Sequence, residues 1–417
     1  MRVMVLMRRL LRSLPLGQTA LHRLRRTAGT AFRVVAWVKA GRARRRTPPR
    51  PGPVCVVGFH SDILGISEAA RGFSQALRSA GAQVVDWDIG PVFGRPPGPG
   101  RTAPTEPPQE AAAMVIFLNP LELVQLVATV GGGPFQGRFC VGAWFWELSR
   151  APKSWRAGFR YVDEVWACSR FVADAIAATA PRDFVIRVLP VAVSASSATN
   201  AAHDADDRVL VLTAFNAGSG FIRKNPVAAV RAFRKANLEG RARMICKAAG
   251  GDTAPELMAA LEAEIGQGGD VALMSERLSD AAMTSLVRRA DIVLSLHRSE
   301  GFGLLPAQGM AEGKAVVATG WSGNLDFMTA DDSVLVDYAL VPVNDPQGLY
   351  SGGVWAEPDV EDAAAKLAAL IADPDRRRAI GQRAAAAVAR KLDPRAVGRQ
   401  ARAWLGHDLG GEAQGDA

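Results

Sequence analysis

Cysteine is scarce in this chain: Cys55, Cys140, Cys168 and Cys246 are the four among 417 residues, and they lack the paired spacing of a metal clamp or a disulfide frame. At least three sit in strand-like runs, so they read as small buried hydrophobes in a reducing compartment. Histidine is equally sparse. His22, His60, His203, His297 and His407 are far apart, which leaves no His and Cys constellation for zinc. No run reaches the roughly 18 to 20 uncharged apolar residues that span a bilayer. Acid is missing from one place only: residues 1–50 hold 14 Lys and Arg and no Asp or Glu. The net charge of +9 therefore belongs to that segment, and the rest of the chain, with 36 bases against 41 acids, is mildly acidic at −5. An acidic body without a legible RNA or DNA module argues against specific nucleic-acid binding.

The basic segment 1–50 opens "MRVMVLMRRLLRSLPLGQTALHRLRR", with Leu, Met and Val interleaved with Arg at near-helical spacing. Two readings stand. It is a helix lying in an anionic membrane surface, apolar face down, or it is an unstructured basic extension. Arg8, Arg9 and Arg12 interrupt the apolar stretch too early for a signal peptide. The expectation is a cytoplasmic protein, peripheral on the inner face of the membrane under the first reading.

What the chain does contain is an ordinary globular balance, 48% apolar and 22% charged, over a length that suits two domains. After the joint "TPPRPGP", buried-strand runs alternate with helical patterns: "VCVVGF", "AQVVDWD", "MVIFL", "RFCVGAW", "DEVWACS" and "FVIRVLP". A Pro and Gly-rich loop is expected from Gly90 to Pro108, and the small polar segment 194–207 reads as a linker. The alternation then resumes with "VLVLTAF", "ARMICKA", "VALMS", "DIVLSL" and "KAVVAT", and everything after Asp359 looks helical. These runs predict an α/β protein. A first domain spans 51–193 and a second 208–375, each a doubly wound parallel sheet, with helices and a tail over 376–417. Ligands of such sheets sit at the carboxyl ends of the strands, so two facing sheets offer a cleft.

The stretch "HRSEGFGLLPAQGMAEGKAVVATGWSGN" (297–324) leaves a strand, turns through glycines and enters a helix. Gly301 and Gly303 permit tight backbone angles and close approach, and the helix start favours an anion such as phosphate. Glu300 would repel that phosphate and is better suited to sugar hydroxyls beside it. "GWSGN" places Ser322 and Gly323 in the next turn, with Asn324 and Asp326 expected as helix caps. "DWD" (86–88) imitates an acidic metal motif but ends a strand.

This stretch resembles the glutamate-motif region of retaining GT-B glycosyltransferases, the family 4 enzymes (glycosyl transferases group 1). The likeness extends in order to "FIRKNPVAAVRAF" (221–233), "LGISEAARGFSQAL" (64–77) and "WFWELSRAPKSW" with "DEVWACSRFVADAI". It implies two Rossmann-like domains, an acceptor domain followed by a donor domain. It also implies transfer of a hexosyl group from a nucleotide sugar to a saccharide or lipid-linked saccharide with retention of configuration, as in polysaccharide biosynthesis. Neither cofactor nor metal is implied. By the same resemblance Glu300 meets the transferred sugar and Lys224 the diphosphate, with Gly301, Phe302, Gly303, Leu304, Gln308, Ser322 and Gly323 around the donor. Gly65 belongs to a phosphate or acceptor loop, and Glu147, beside Trp144 and Trp146 in "WFWEL", is a candidate acceptor contact.

Two residues depart from the pattern. Gln308 replaces the second glutamate, which is expected on the ribose, and it keeps hydrogen-bonding capacity without charge. The usual upstream arginine is missing, so Arg223 is expected to share the diphosphate with Lys224, although neighbouring side chains often point apart. The rivals are a non-catalytic nucleotide-sugar-binding relative and a sugar-nucleotide epimerase of the same fold.

Overall fold

The computed structural model describes residues 34–36, 38, 46–95, 104–196, 206–266 and 269–407. The first 33 residues of the basic segment, most of the linker and part of the Gly90–Pro108 loop lie outside them, and with them the two readings of the amino-terminal segment.

The apolar runs form two sheets. In the first, β1 (Val54–Gly58), β2 (Val84–Asp88), β3 (Ala113–Ile116), β4 (Phe139–Trp144), β5 (Glu164–Ala167) and β6 (Ile186–Val188) lie in the order β2-β1-β3-β4-β5-β6. In the second, β7 (Val209–Asn216), β8 (Ala242–Ala249), β9 (Val271–Met274), β10 (Ile292–Ser295), β11 (Ala315–Thr319) and β12 (Val334–Val336) lie in the order β12-β11-β10-β7-β8-β9. Neighbours in both sheets are parallel. Parallel strands need crossovers, and the crossover helices cover the sheet faces. That is why β1, β3, β4 and β11 are buried along their whole length and read as continuous apolar runs.

The helix Gly65–Ser79 buries Ala69, Ala70, Phe73, Ala76 and Leu77 on one face. The carboxy-terminal region is helical as expected. Asp359, Asp373 and Asp393 each accept backbone N–H groups of the helix that follows, and the last two precede a proline at the first helical position. Val360–Ala372 lies in the second domain against Pro226–Ala236, whereas Pro394–Trp404 returns to the first and packs on Gly65–Ser79. The crossing is close: a Cβ on Gly398 would stand 2.0 Å from the Ala76 carbonyl oxygen.

One element escaped the sequence reading. β13 (Tyr338–Pro342) and β14 (Val354–Pro358) form an antiparallel hairpin outside both sheets. Only Asp337 separates β12 from β13, so the two read as one apolar run in sequence, while in space the chain leaves the sheet there.

Candidate active site

In the second sheet the strand order reverses beside β7. Successive strands run β7-β8-β9 to one side, and the chain then returns to lay β10, β11 and β12 on the other. The loops leaving the carboxyl ends of β7 and β10 therefore diverge and open a crevice, which is where ligands of such sheets bind. The β7 loop carries Arg223 and Lys224, in the short helix Phe221–Lys224, and the β10 loop carries Glu300. Arg298 N donates to the Arg223 carbonyl at 2.7 Å and fixes one loop on the other.

The two neighbouring cations do not point apart. In the tight turn of Phe221–Lys224 both converge on one oxygen of Glu300, Lys224 Nζ at 2.5 Å and Arg223 Nη1 at 3.0 Å. Their surroundings differ. The Arg223 side chain is 3% exposed and also donates to the carbonyls of Ser299 (2.7 Å) and Ser219 (2.9 Å), whereas that of Lys224 is 24% exposed and faces the cleft. Burial alone would raise the Glu300 carboxyl; the charges of Arg223 and Lys224 outweigh it and bring its pKa down to about 2. Burial depresses the Lys224 ammonium, with Glu300 opposing the shift.

The glycine turn is shaped by contact. Gly303 holds φ +95°, a left-handed conformation that suits glycine, and the helix Leu304–Ala311 starts from it. Ala307 N bonds the Gly303 carbonyl, so the amides of Leu304 and Leu305, in the turn before it, have no intrahelical acceptor. The Glu300 amide is already engaged, donating to Ser322 Oγ at 2.8 Å, and Gly323 N donates to the Glu300 carbonyl at 2.9 Å. The Phe302 ring is buried against Phe327, leaving its backbone to the turn.

The first domain meets this turn directly. Gly301 lies so close to it that a Cβ would stand 2.7 Å from the Trp146 carbonyl oxygen, and the Gly301 carbonyl accepts Ser169 Oγ at 2.6 Å. Ser299 Oγ donates to the Glu147 carbonyl. The Glu147 carboxylate lies 3.9 Å from Arg223, so sequence positions 147, 223, 224 and 300 share one crevice. Gly65 begins the first-domain helix that faces the turn: one helical turn on, Glu68 accepts a hydrogen bond from the Gln308 side-chain amide. Gln308 is thus engaged across the cleft.

Other candidates have structural partners. His297 is fully buried, bonds Ser295 Oγ (3.0 Å), the Trp321 carbonyl (3.3 Å) and Asn324 Oδ1 (3.2 Å), and burial lowers its pKa. His60 Nε2 lies 2.9 Å from the Val56 carbonyl. Asp86 accepts from Ser74 and Arg78, and Asp88 accepts the Gly90 amide, as residues that end a strand. Asn324 and Asp326 do not cap a following helix: Asn324 braces His297, and Asp326 accepts the Arg170 amide at 2.6 Å, at the start of the first-domain helix Arg170–Ala177. Hydrogen bonds to residues distant in sequence, not local helix signals, set both side chains. Three residues of the site went unnoticed in the sequence. Ser299 and Glu68 lie inside the stretches 297–324 and 64–77, and Tyr350 lies in the loop of the β13–β14 hairpin.

Residues 211–387 match the family described as Glycosyl transferases group 1. No curated protein sequence matches the chain. Among solved structures, HepE of Anabaena in complex with UDP-glucose superposes with a TM-score of 0.60 at 14% identity, covering 85% of this chain and 99% of that one. Sucrose-phosphate synthase from Thermosynechococcus elongatus gives 0.60 at 14% identity, covering 84% and 97%. A glycosyltransferase from Rickettsia africae gives 0.58 at 13% identity, covering 88% and 100%. The fold is GT-B: two Rossmann-like domains, each a six-stranded parallel sheet, facing one cleft. Among the described residues no helix is long and apolar enough to cross a membrane.

Proposed function

We propose that the chain is a retaining glycosyltransferase that moves a hexosyl group from a nucleotide sugar to a saccharide or lipid-linked saccharide. The observation that carries this reading is the buried Glu300 carboxylate held by Lys224 and Arg223 in the crevice where the second sheet reverses. Buried carboxylates that merely pair with cations are common; one placed at a strand-order reversal, beside a helix start and facing a second domain, is built to meet a ligand.

The two cations divide the work. Arg223, fixed by the Ser299 and Ser219 carbonyls, keeps Glu300 ionised and aimed. Lys224, part exposed, swings from Glu300 to the incoming diphosphate, which frees carboxylate oxygen for the hydroxyls of the transferred sugar. As the bond from the anomeric carbon to diphosphate oxygen breaks, negative charge grows on the leaving group, where Lys224 and the first-turn amides of Leu304 and Leu305 stabilise it. A bond forms from the acceptor oxygen to the same face of that carbon, and the acceptor proton passes to the departing phosphate. No metal ion is assigned a part. Gln308 reads the ribose through its amide, Gly65 and its neighbours line the acceptor or phosphate side, and Glu147 orients the acceptor. The basic residues 1–50 bring the enzyme to an anionic membrane surface where lipid-linked acceptors reside.

The HepE complex makes UDP sugars the first donors to try. A thermal-shift panel of UDP, GDP and ADP is expected to show one selective nucleotide; a ligand at about 100 times its dissociation constant adds about 2.7 kcal/mol of stability. Hydrolysis of the matching sugar nucleotide by the purified chain should then fall in Glu300→Ala. Equal background rates for the two proteins would overturn the reading.

A further inference from the structure

Lys247 is the one lysine buried among the described residues, 4% exposed, and it takes no part in the chemistry assigned to Glu300 and Lys224. A buried ammonium is costly unless it is paired. Lys247 Nζ donates to the Ala248 carbonyl at 3.0 Å, and among the described residues no carboxylate lies within ion-pair distance of it. An ammonium carries three donors, so two remain for an acceptor that the protein does not supply. Burial lowers the Lys247 pKa, with the charge of Glu276 opposing the shift.

Its place in the sheet narrows what that acceptor is. Lys247 lies near the carboxyl end of β8, opposite Ala214 of β7 and Met274, the last residue of β9. Partners in a parallel pair share a face. The next row down that face is Ile245, Leu212, Val293 and Val316, and the helix Leu304–Ala311 covers it, for a Cβ on Gly309 would meet Val293 at 2.8 Å and Val316 at 3.1 Å. The start of that helix, where the Leu304 and Leu305 amides have no intrahelical acceptor, follows β10. Lys247 is two strands along the same face, about 10 Å at the usual strand spacing. Between them Ala214 is half-buried although β7 is an interior strand, and Ser295 at the end of β10 is half-buried too, so the crevice runs over this row. The opposite direction is filled. Past β11 the turn at Gly323 presses on Gly301, whose carbonyl oxygen would stand 2.0 Å from a Cβ on Gly323.

We infer that Lys247 is a base-selecting residue of the donor site, its ammonium donating to a keto oxygen of the nucleobase. The inference rests on the nucleotide-sugar reading above, with the diphosphate at Lys224 and the first-turn amides. From that anchor the transferred sugar lies toward Glu300, and the nucleoside, long enough to cross two strand spacings, has the open row over β7 and β8 to run along. Uracil and guanine offer oxygen acceptors where adenine offers an amino group, itself a donor. Adenine would leave the buried ammonium unpaired, and a site built around a hydrogen bond rejects a ligand that cannot make it.

The test measures UDP, GDP and ADP binding by titration calorimetry to the full chain as wild type and as Lys247→Met, which keeps the length of the side chain and removes its charge. Wild type is expected to bind UDP or GDP at least about tenfold more tightly than ADP. In Lys247→Met that nucleotide should weaken about tenfold or more while ADP changes less than about twofold, so that selectivity collapses. Equal weakening of all three nucleotides would put the ammonium on phosphate, and unchanged affinities would leave it a structural group. Either outcome overturns the base-selecting role, as does a wild type that prefers ADP. A wild type that binds none of the three refutes the nucleotide-sugar reading itself, and this assignment with it. Urea unfolding separates loss of contact from loss of fold: removing a buried charge that lacks an ion-pair partner should leave the midpoint equal to or above that of wild type, and a midpoint well below it overturns the premise.

Discussion

Replacing Glu300 with glutamine tests the centre of the site without any assumption about substrate. The folded carboxyl titrates at about 2 against an ordinary 4.5, because Arg223 and Lys224 more than offset the cost of burying its charge. A folded-state pKa below the unfolded one means stability that is complete above the unfolded value and is lost as pH falls through the folded value. The shift corresponds to about 3 kcal/mol at pH 7, declining to about 2 kcal/mol at pH 3.5. Glu300→Gln removes that contribution and leaves Arg223 buried with the carbonyls of Ser299 and Ser219 and the more distant Glu147. Urea unfolding followed by tryptophan fluorescence should show the variant less stable by about 3 kcal/mol at pH 7, with the deficit shrinking on acidification. A deficit below about 1 kcal/mol, or one that stays constant between pH 7 and pH 3.5, would refute the assigned ion pairing.

Further perturbations follow from the same geometry. Lys224→Met keeps length and loses charge, so sugar-nucleotide hydrolysis should fall by about 100-fold or more in steady-state assays, well beyond the loss in nucleotide affinity by titration calorimetry. Gln308→Glu sets a carboxylate against Glu68 and should cost about 1 kcal/mol or more at neutral pH; because the penalty needs both carboxylates ionised, unfolding midpoints should recover as pH falls below about 4. Gly323→Ala drives a Cβ to 2.0 Å from the Gly301 carbonyl oxygen, and since both sides of that contact are backbone, the loss should reach about 3 kcal/mol in thermal unfolding. All four cysteines are buried, and burial raises the thiols of Cys55, Cys168 and Cys246, so a thiol reagent should label the protein only as it unfolds.

The two sheets were legible because strands covered on both faces must be apolar from end to end, and β1, β4 and β11 are. The site was legible where a backbone demand left a residue type behind: Gly301 and Gly303 mark close approach and left-handed geometry. The hairpin was not. Exposed β13 residues such as Tyr338 and Leu340 follow β12 with one residue between, and nothing local announces that the chain leaves the sheet. Asn324 and Asp326 misled in the same way. Both are good local caps, but His297 and the Arg170 amide, each distant in sequence, offered bonds that a local pattern does not contain.

Sequence alone determined the alternating strand and helix layout and the residue types gathered at the glycine turn, since periodicity and backbone strain act over a few neighbouring positions. Only the tertiary structure decided that Arg223 and Lys224 converge on Glu300, that Gln308 faces Glu68, and that the Tyr350 ring packs against Trp146. Those pairings join segments from separate strand ends and separate domains. Their geometry depends on strand order and domain approach, which no local pattern encodes.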